Sequence, residues 1–372
     1  MTASADYEFI GSKNSYYSAK VRACLQYKRL PYSEVCANGD TIRRAKEKTG
    51  SHMYPVVLCP DGTVLQDSCD IVDALEQRHP ARPVIPYDPV LRLLATLFET
   101  IADDFMILTS IRYRWVPEDT SAWAVRMFQQ ICTERMPEPK PRAATRENAV
   151  RIARSIQKRF KGQMTQSPEI VAVCERQTRE ICDRLDAHLE NTPFLLGDRP
   201  SLADLGMMNA LFGHLYRDPG AMCDHIHWKC ISLSLWIDHM LAAAGESDRG
   251  DLFFSDSLAP VLETFGTTYG AYAATTLAVA EAKFATLEPD AEPRQFLGAH
   301  ETTLAGVPTT FPVSSYVAWK LQRVLDCYRA IPESDRADAD RILEPAGLLS
   351  LCRTEPGWRL EKRGFMRLAK VA

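Results

Sequence analysis

The chain lacks an excess of charge of either sign: 44 Lys and Arg stand against 48 Asp and Glu, for a net charge of −4 and a pI near 6.1. That balance argues against a general nucleic-acid binder, which needs a basic footprint. It also lacks a long apolar run. The longest uncharged window, Thr264 to Ala280, is short for a membrane span and holds several Thr and Gly, so it reads as a buried helix. The first residues, Met-Thr-Ala-Ser-Ala-Asp-Tyr, have no basic region followed by an apolar core, and no signal peptide is expected. No CxxC pair occurs. The 11 cysteines are scattered, several on apolar helix faces, as free thiols are. Such usage suits a reducing compartment better than a secreted disulfide framework, so a cytoplasmic location is expected.

What is present begins with a short apolar run, residues 7–10, that stops at Gly11. It gives way to a 3.6-residue period in which Tyr17, Val21, Cys24 and Leu25 share one face. A strand therefore feeds a helix. Small polar residues fill the turn, so free backbone N–H groups and the positive end of the helix dipole surround Ser15, where an anion belongs. The Ser15 hydroxyl can donate to that anion, although a serine at such a turn is by default an N-cap.

Residues 31–35 read as a second strand, parallel to the first. Thr41 is a candidate cap for a short basic helix. Two β-rich runs flank Asp61-Gly62 and make a hairpin that Pro55 opens, where a missing ladder N–H is tolerable and a cis bond would be functional. Ser68 is a candidate N-cap for a helix to His79, and Pro80 and Pro83 end the unit.

This order resembles the thioredoxin-like N-terminal domain of glutathione S-transferases. Ser15 stands at the place of the catalytic hydroxyl or thiol, Lys20-Val21-Arg22 on the first helix, Tyr54-Pro55 at the cis-proline strand, and Asp67-Ser68 at the acidic-serine pair. The resemblance covers residues 7–80. It implies that Ser15 donates to a glutathione thiolate and that the peptide pairs with the Tyr54 backbone beside Pro55. The γ-glutamyl carboxylate would sit at the Ser68 helix end, and Asp67 with Gln66 would meet the ammonium. Arg43, Arg44 or His52 would hold the glycyl carboxylate. Ser15 in place of Cys argues against thiol transfer and dehydroascorbate reduction, which need a redox sulfur.

From Tyr87 onward helix periods take over. A long helix from Pro89 to about Trp115 carries Leu91, Leu94, Leu97, Phe98, Ile101, Phe105 and Leu108 on one face. In the resembling family this helix walls the second-substrate pocket, which makes Arg112 and Tyr113 candidates there. Residues 117–166 look like an insertion: Pro137, Pro139 and Pro141 precede a basic amphipathic helix from Thr145 to Lys161, read as a solvated face. Ser167-Pro168 starts a further helix, and Ser201 with Asp204 forms a capping box of structural role. Cys223, His227 and Cys230 would share a helical face, but with no second ligand pair in sequence no metal is expected.

Beyond about residue 246 the chain continues past a compact transferase. A long helix from Ser257 to Phe284 has Gly266 and Gly270 for close backbone approach, and Tyr269 and Tyr272 read as core. Residues 312–330 show a helical stripe that includes Val313 and Tyr316, and Ser334 is a candidate cap for another helix. A basic tail around Gly357-Trp358-Arg359-Leu360 and Gly364-Phe365-Met366-Arg367-Leu368 would fold over the domain or the active-site mouth.

The expected fold is α/β plus all-α: a thioredoxin-like glutathione-binding domain over residues 1–83, and an enlarged all-helical C-terminal domain over 88–372. The expected function is a glutathione transferase, with glutathione as co-substrate attacking a hydrophobic electrophile. The resemblance implies a homodimer. No nucleic-acid or membrane contact is expected. A glutathione-dependent isomerase or lyase, including ether cleavage, and a noncatalytic interaction module of the same fold are the alternatives.

Overall fold

The computed structural model describes residues 6–133, 139–160, 162, 164–364 and 367–371. Pro137, Lys161, Phe365 and Met366 lie outside the described residues. The first strand β1 (Tyr7–Gly11), helix α1 (Tyr16–Tyr27) and β2 (Tyr32–Cys36) form a parallel unit, followed by α2 (Gly39–Thr49). Strands β3 (Val56–Leu58) and β4 (Val64–Gln66) make the antiparallel hairpin, and α3 (Ser68–Arg78) closes the domain. Strand order is β2-β1-β3-β4, a thioredoxin-like sheet, and the Tyr54-Pro55 bond is cis.

Two caps fall one to three residues earlier than the sequence suggests. Asn38, not Thr41, caps α2: its side chain accepts from Asp40 and Thr41, while the Thr41 hydroxyl returns to the Asn38 N–H. Asp67, not Ser68, caps α3, accepting the Cys69 N–H at 2.9 Å. A carboxylate or amide one step upstream reaches the free N–H groups as well as a hydroxyl does and displaces it.

The second domain is helical. The long helix foreseen from Pro89 is α4 (Pro89–Ile101) and α5 (Ile107–Trp115), joined by a π-helical turn at Ala102–Met106. The insertion forms α6 (Glu118–Thr133) and α7 (Pro139–Phe160), with a small core of Trp115, Phe128, Ala149 and Ala153. Helix α7 begins before Thr145, since prolines are tolerated in a first turn. Its Arg146, Arg151 and Arg154 are exposed, as a solvated face requires.

Next come α8 (Pro168–Leu189), capped by Ser167, α9 (Leu202–Ala210), α10 (Ala221–Lys229) and α11 (Ile231–Leu241). Ser201 and Asp204 make the expected capping box. Gly206 lets α9 lie on α4, since a Cβ there would stand 2.7 Å from the Glu99 Cα.

Helix α12 (Ala259–Phe284) is buried as expected, and Tyr269 and Tyr272 pack with Phe105 and Phe311 in the core. At Gly266 a Cβ would meet the Ala346 carbonyl oxygen at 1.6 Å, whereas Gly270 has no neighbour within 4 Å. Close approach thus explains the first glycine and not the second.

The helical domain carries, in addition, two hairpins that the sequence patterns did not reveal. Strands β5 (Phe296–Leu304) and β6 (Val307–Ser314) pair antiparallel with a bulge between Phe296 and Gly298, so Pro312 and Val313 are strand residues. Helix α13 (Ser315–Arg329) starts only after the Ser314 cap. Then follow α14 (Glu333–Leu343), α15 (Leu349–Cys352) and the hairpin β7 (Arg359–Gly364) with β8 (Arg367–Val371). Ser334 lies inside α14, its hydroxyl on the Asp335 carboxylate, and caps nothing. All eleven cysteines are free thiols. No helix among the described residues is long and apolar enough to cross a membrane.

Candidate functional site

Strand register decides which segments meet. Ile10 pairs with Val56 and Val56 with Gln66, so the turn after β1, cis-Pro55 before β3 and Asp67 after β4 emerge at one end of the sheet. Ser15 occupies the N-cap backbone position of α1, with φ −84° and ψ 132°, yet its hydroxyl makes no capping bond. It is half-buried. Among the described residues the Tyr54 backbone makes no hydrogen bond, which leaves it open to an added strand. Arg114, at the end of α5, braces this turn: its guanidinium donates to the Asn14 carbonyl at 2.7 Å and to that of Gly213 at 2.6 Å.

The Gln66–Ser68 side of this sheet end is covered. Gln66, Asp67 and Ser68 are each 5–8% exposed, and the cover comes from the far end of the chain. The Tyr316 hydroxyl of α13 donates to Asp67 Oδ2, and the Lys362 ammonium of β7 lies 2.7 Å from that oxygen and 2.8 Å from Asp70 Oδ2. Burial pushes the Asp67 carboxyl up, but Lys362 and Tyr316 outweigh it and hold the group below the usual carboxylate range. Gln66 donates to the Met53 carbonyl at 2.7 Å and so braces the cis-proline loop. At the opposite side Cys36, ending β2, donates its thiol to the Ile131 carbonyl at 2.8 Å, which docks the insertion on the first domain.

On α1, five residues beyond Ser15, Lys20 enters a cluster of charges with almost no solvent contact. Lys20 Nζ sits 2.9 Å from Asp103 Oδ2 and also touches Glu99, while Lys320 from α13 binds the same Asp103 oxygen. Asn209 donates to the other Asp103 oxygen at 2.6 Å. The π turn brings the adjacent Asp104 inward too, 3.8 Å from Lys320. Burial pushes the Asp104 carboxyl up to about 7, with Lys320 opposing only in part.

Between the ordinary aspartate range near pH 4 and pH 7 the folded chain therefore keeps a proton that the unfolded chain has lost, and Asp104 makes stability fall as pH rises through that window. Asp104→Asn is expected to be more stable than wild type by about 2–4 kcal/mol at pH 8, the difference shrinking toward pH 4. Urea midpoints of both proteins across that range measure it, and a pH-independent difference would show Asp104 to titrate normally.

The other sequence candidates scatter. Arg43 is engaged by Asp40 at 2.9 Å on its own helix, Arg44 binds Glu8, and His52 is exposed. Arg112 and Tyr113 line a cavity of about 210 Å³ with His214 and Met222, where Arg112 pairs with Glu175 at 2.9 Å. The His214 ring packs on Tyr16, the neighbour of Ser15, at 5.3 Å. A larger cavity of about 500 Å³ is lined by Lys13, Arg142, Arg146 and Arg217 with Met127 and Ile131. Cys223 lies 3.6 Å from the His227 ring nitrogen, but Cys230 faces Asp183 instead, so 223, 227 and 230 do not converge. Donor triads among the described residues are Asp183–His225–Cys230 and Cys69–Glu99–Asp103, the second filled by ammonium groups.

Sequence reasoning missed Lys362 and the Lys20–Asp103–Lys320 cluster. Tyr316 stood in an apolar stripe, and its hydroxyl was the only hint of a polar partner.

Thioredoxin-like sheet followed by a helical domain is the architecture of the glutathione S-transferases. Residues 9–83 match the family model for the glutathione S-transferase N-terminal domain, and residues 146–242 match that for its C-terminal domain. Together, in chain order, the two matches support the glutathione S-transferase family for this chain. Similar solved structures include the β-etherase LigF from Sphingobium sp. strain SYK-6, with TM-score 0.44 and 18% identity over 70% of this chain and 99% of its own. FzlA from C. crescentus gives TM-score 0.40 and 16% identity over 69% and 92%. A glutathione S-transferase from Methylobacterium radiotolerans in complex with glutathione sulfonate gives 0.38 and 21% over 68% and 99%. No curated protein sequence matches the chain.

Proposed function

We propose that this chain binds glutathione beside Pro55 and uses the Ser15 hydroxyl to stabilise its thiolate for attack on an electrophilic carbon. The observation that carries this reading is the uncommitted Ser15 hydroxyl at the N-terminus of α1, in N-cap geometry without a capping bond. Lowering a thiol pKa by about two units needs about 2.7 kcal/mol of preference for the anion. One hydroxyl donor to a charged acceptor and a helix N-terminus reach that size, at about 1.5–3 and up to about 1 kcal/mol. Ser15 donates a hydrogen bond and need not become a nucleophile.

Calorimetry and turnover with Ser15→Ala test this. Glutathione affinity is expected to stay within a few-fold, while kcat/KM falls about 100-fold and the ultraviolet absorbance of the bound thiolate appears only at higher pH. Equal turnover and an unchanged thiolate titration would remove Ser15 from the chemistry. A noncatalytic module is the second reading, favoured by the Lys362 ammonium at the place assigned to the ligand's own.

A further inference from the structure

Lys362 stands in a built enclosure. Its ammonium faces the two carboxylates of Asp67 and Asp70 at 2.7 and 2.8 Å, and it lies 4.7 Å from the ring centre of Trp319 and 5.3 Å from that of Tyr316. The Lys362 side chain is 8% exposed and that of Asp67 5%. Asp67 and Asp70 at the start of α3 and two aromatic faces from α13 surround one ammonium, closed from water on the Asp67 side and open to it at Asp70, whose side chain is 39% exposed. The Tyr316 hydroxyl fixes Asp67 from a second side, and the Cys69 N–H takes its other oxygen. Asp67 Oδ2 already takes both the Tyr316 hydroxyl and the Lys362 ammonium, and a second ammonium brought to that oxygen would meet the repulsion of the first.

We infer that Lys362 is an internal occupant of the ammonium subsite, so that the γ-glutamyl end of glutathione binds only in exchange for it. This rests on the reading of a glutathione site given above. The chain carries its own competitor: the lysine stem enters from β7, and its head group has the charge, size and hydrogen-bonding capacity of the ligand's α-ammonium. Exchange breaks the two carboxylate contacts and the aromatic contacts of Lys362 and returns its ammonium to water. The ligand ammonium takes the same four groups. No covalent step is involved.

The test is calorimetry on the full chain with glutathione and with glutaryl-cysteinylglycine, which has the same skeleton without the α-amino group. In wild type the two are expected to bind within about twofold of each other, because the exchange trades the contacts of Lys362 for equivalent ones and leaves the amino group no net gain. In Lys362→Met, which keeps the stem and removes the charge, glutathione is expected to bind at least about tenfold tighter than in wild type, with no gain for the analogue. Glutathione binding at least tenfold better than the analogue in wild type would overturn the inference and leave the glutathione site standing. That comparison needs no variant and survives if Lys362→Met fails to fold. No binding of either peptide to either protein would overturn both.

Discussion

Asp103→Ala is expected to lower the unfolding free energy by about 3–5 kcal/mol, the scale on which a buried charge loses its partner. Asp103 faces Lys20 and Lys320, whose side chains are 0% and 1% exposed, and it accepts from Asn209 as well. Removing the carboxylate leaves Lys20 with Glu99, on which Arg323 already draws at 3.5 Å, and Lys320 with Asp104 at 3.8 Å, a carboxyl that burial keeps largely protonated up to about pH 7. The cluster ties α1, the π turn, α9 and α13 into one unit. Urea unfolding measures the loss, and the double variant Asp103→Ala/Lys320→Met is expected to recover part of it because one orphaned charge is gone. Burial pushes the Asp103 carboxyl up, but the two lysines outweigh it and hold it well below the usual range. Its contribution is therefore present above the ordinary aspartate pKa and lost as pH falls toward the folded value. A loss under about 1 kcal/mol would mean that the cluster is open to water.

Asp204→Ala should be nearly as costly, and for a different reason. The carboxylate accepts from the Leu195 and Ser201 N–H groups at 3.0 and 2.8 Å, from the Ser201 hydroxyl at 2.8 Å and from Trp236 Nε1 at 3.0 Å. The residue is fully buried, so alanine strands several donors where water cannot replace the acceptor. A lost cap costs about 0.5–2 kcal/mol and each stranded donor about 1–3, and with incomplete additivity a total near 3–5 kcal/mol follows. Folded Asp204→Ala protein should still bind glutathione as wild type does. Thermal melts with and without the peptide check both halves, and a stable variant that loses only the ligand would contradict the structural role.

The features legible in the chain are those whose causes lie within a turn or two. The Gly11 break, Pro55 before a β-rich run, the Asp61-Gly62 turn and the Ser201–Asp204 box each announce local geometry, and α1, the β3–β4 hairpin and α9 appear where these signals sit. Cap positions slipped at Thr41 and Ser68 because Asn38 and Asp67, a few residues upstream, can do the same work. The β5–β6 hairpin was illegible because Pro308 and Pro312 within its second run argue against a strand, a bulge near Gly298 shifts the first, and its buried face is supplied by α12. The surroundings of the candidate site were illegible for a simpler reason: contacts between distant segments leave no periodic trace.

By itself the sequence determined that a strand turns into a helix at Ser15, that a proline opens the next strand, and that a helical domain follows, since backbone sterics, capping and apolar period act over short stretches. Tertiary structure alone decided that Lys362 reaches Asp67 across 295 residues and that Lys320 shares Asp103 with Lys20 across the domain boundary. A lone lysine reads as solvated in sequence. Only when packing strips its water and brings a carboxylate to contact does its charge select a partner, and that partner is chosen by the fold rather than by its neighbours in the chain.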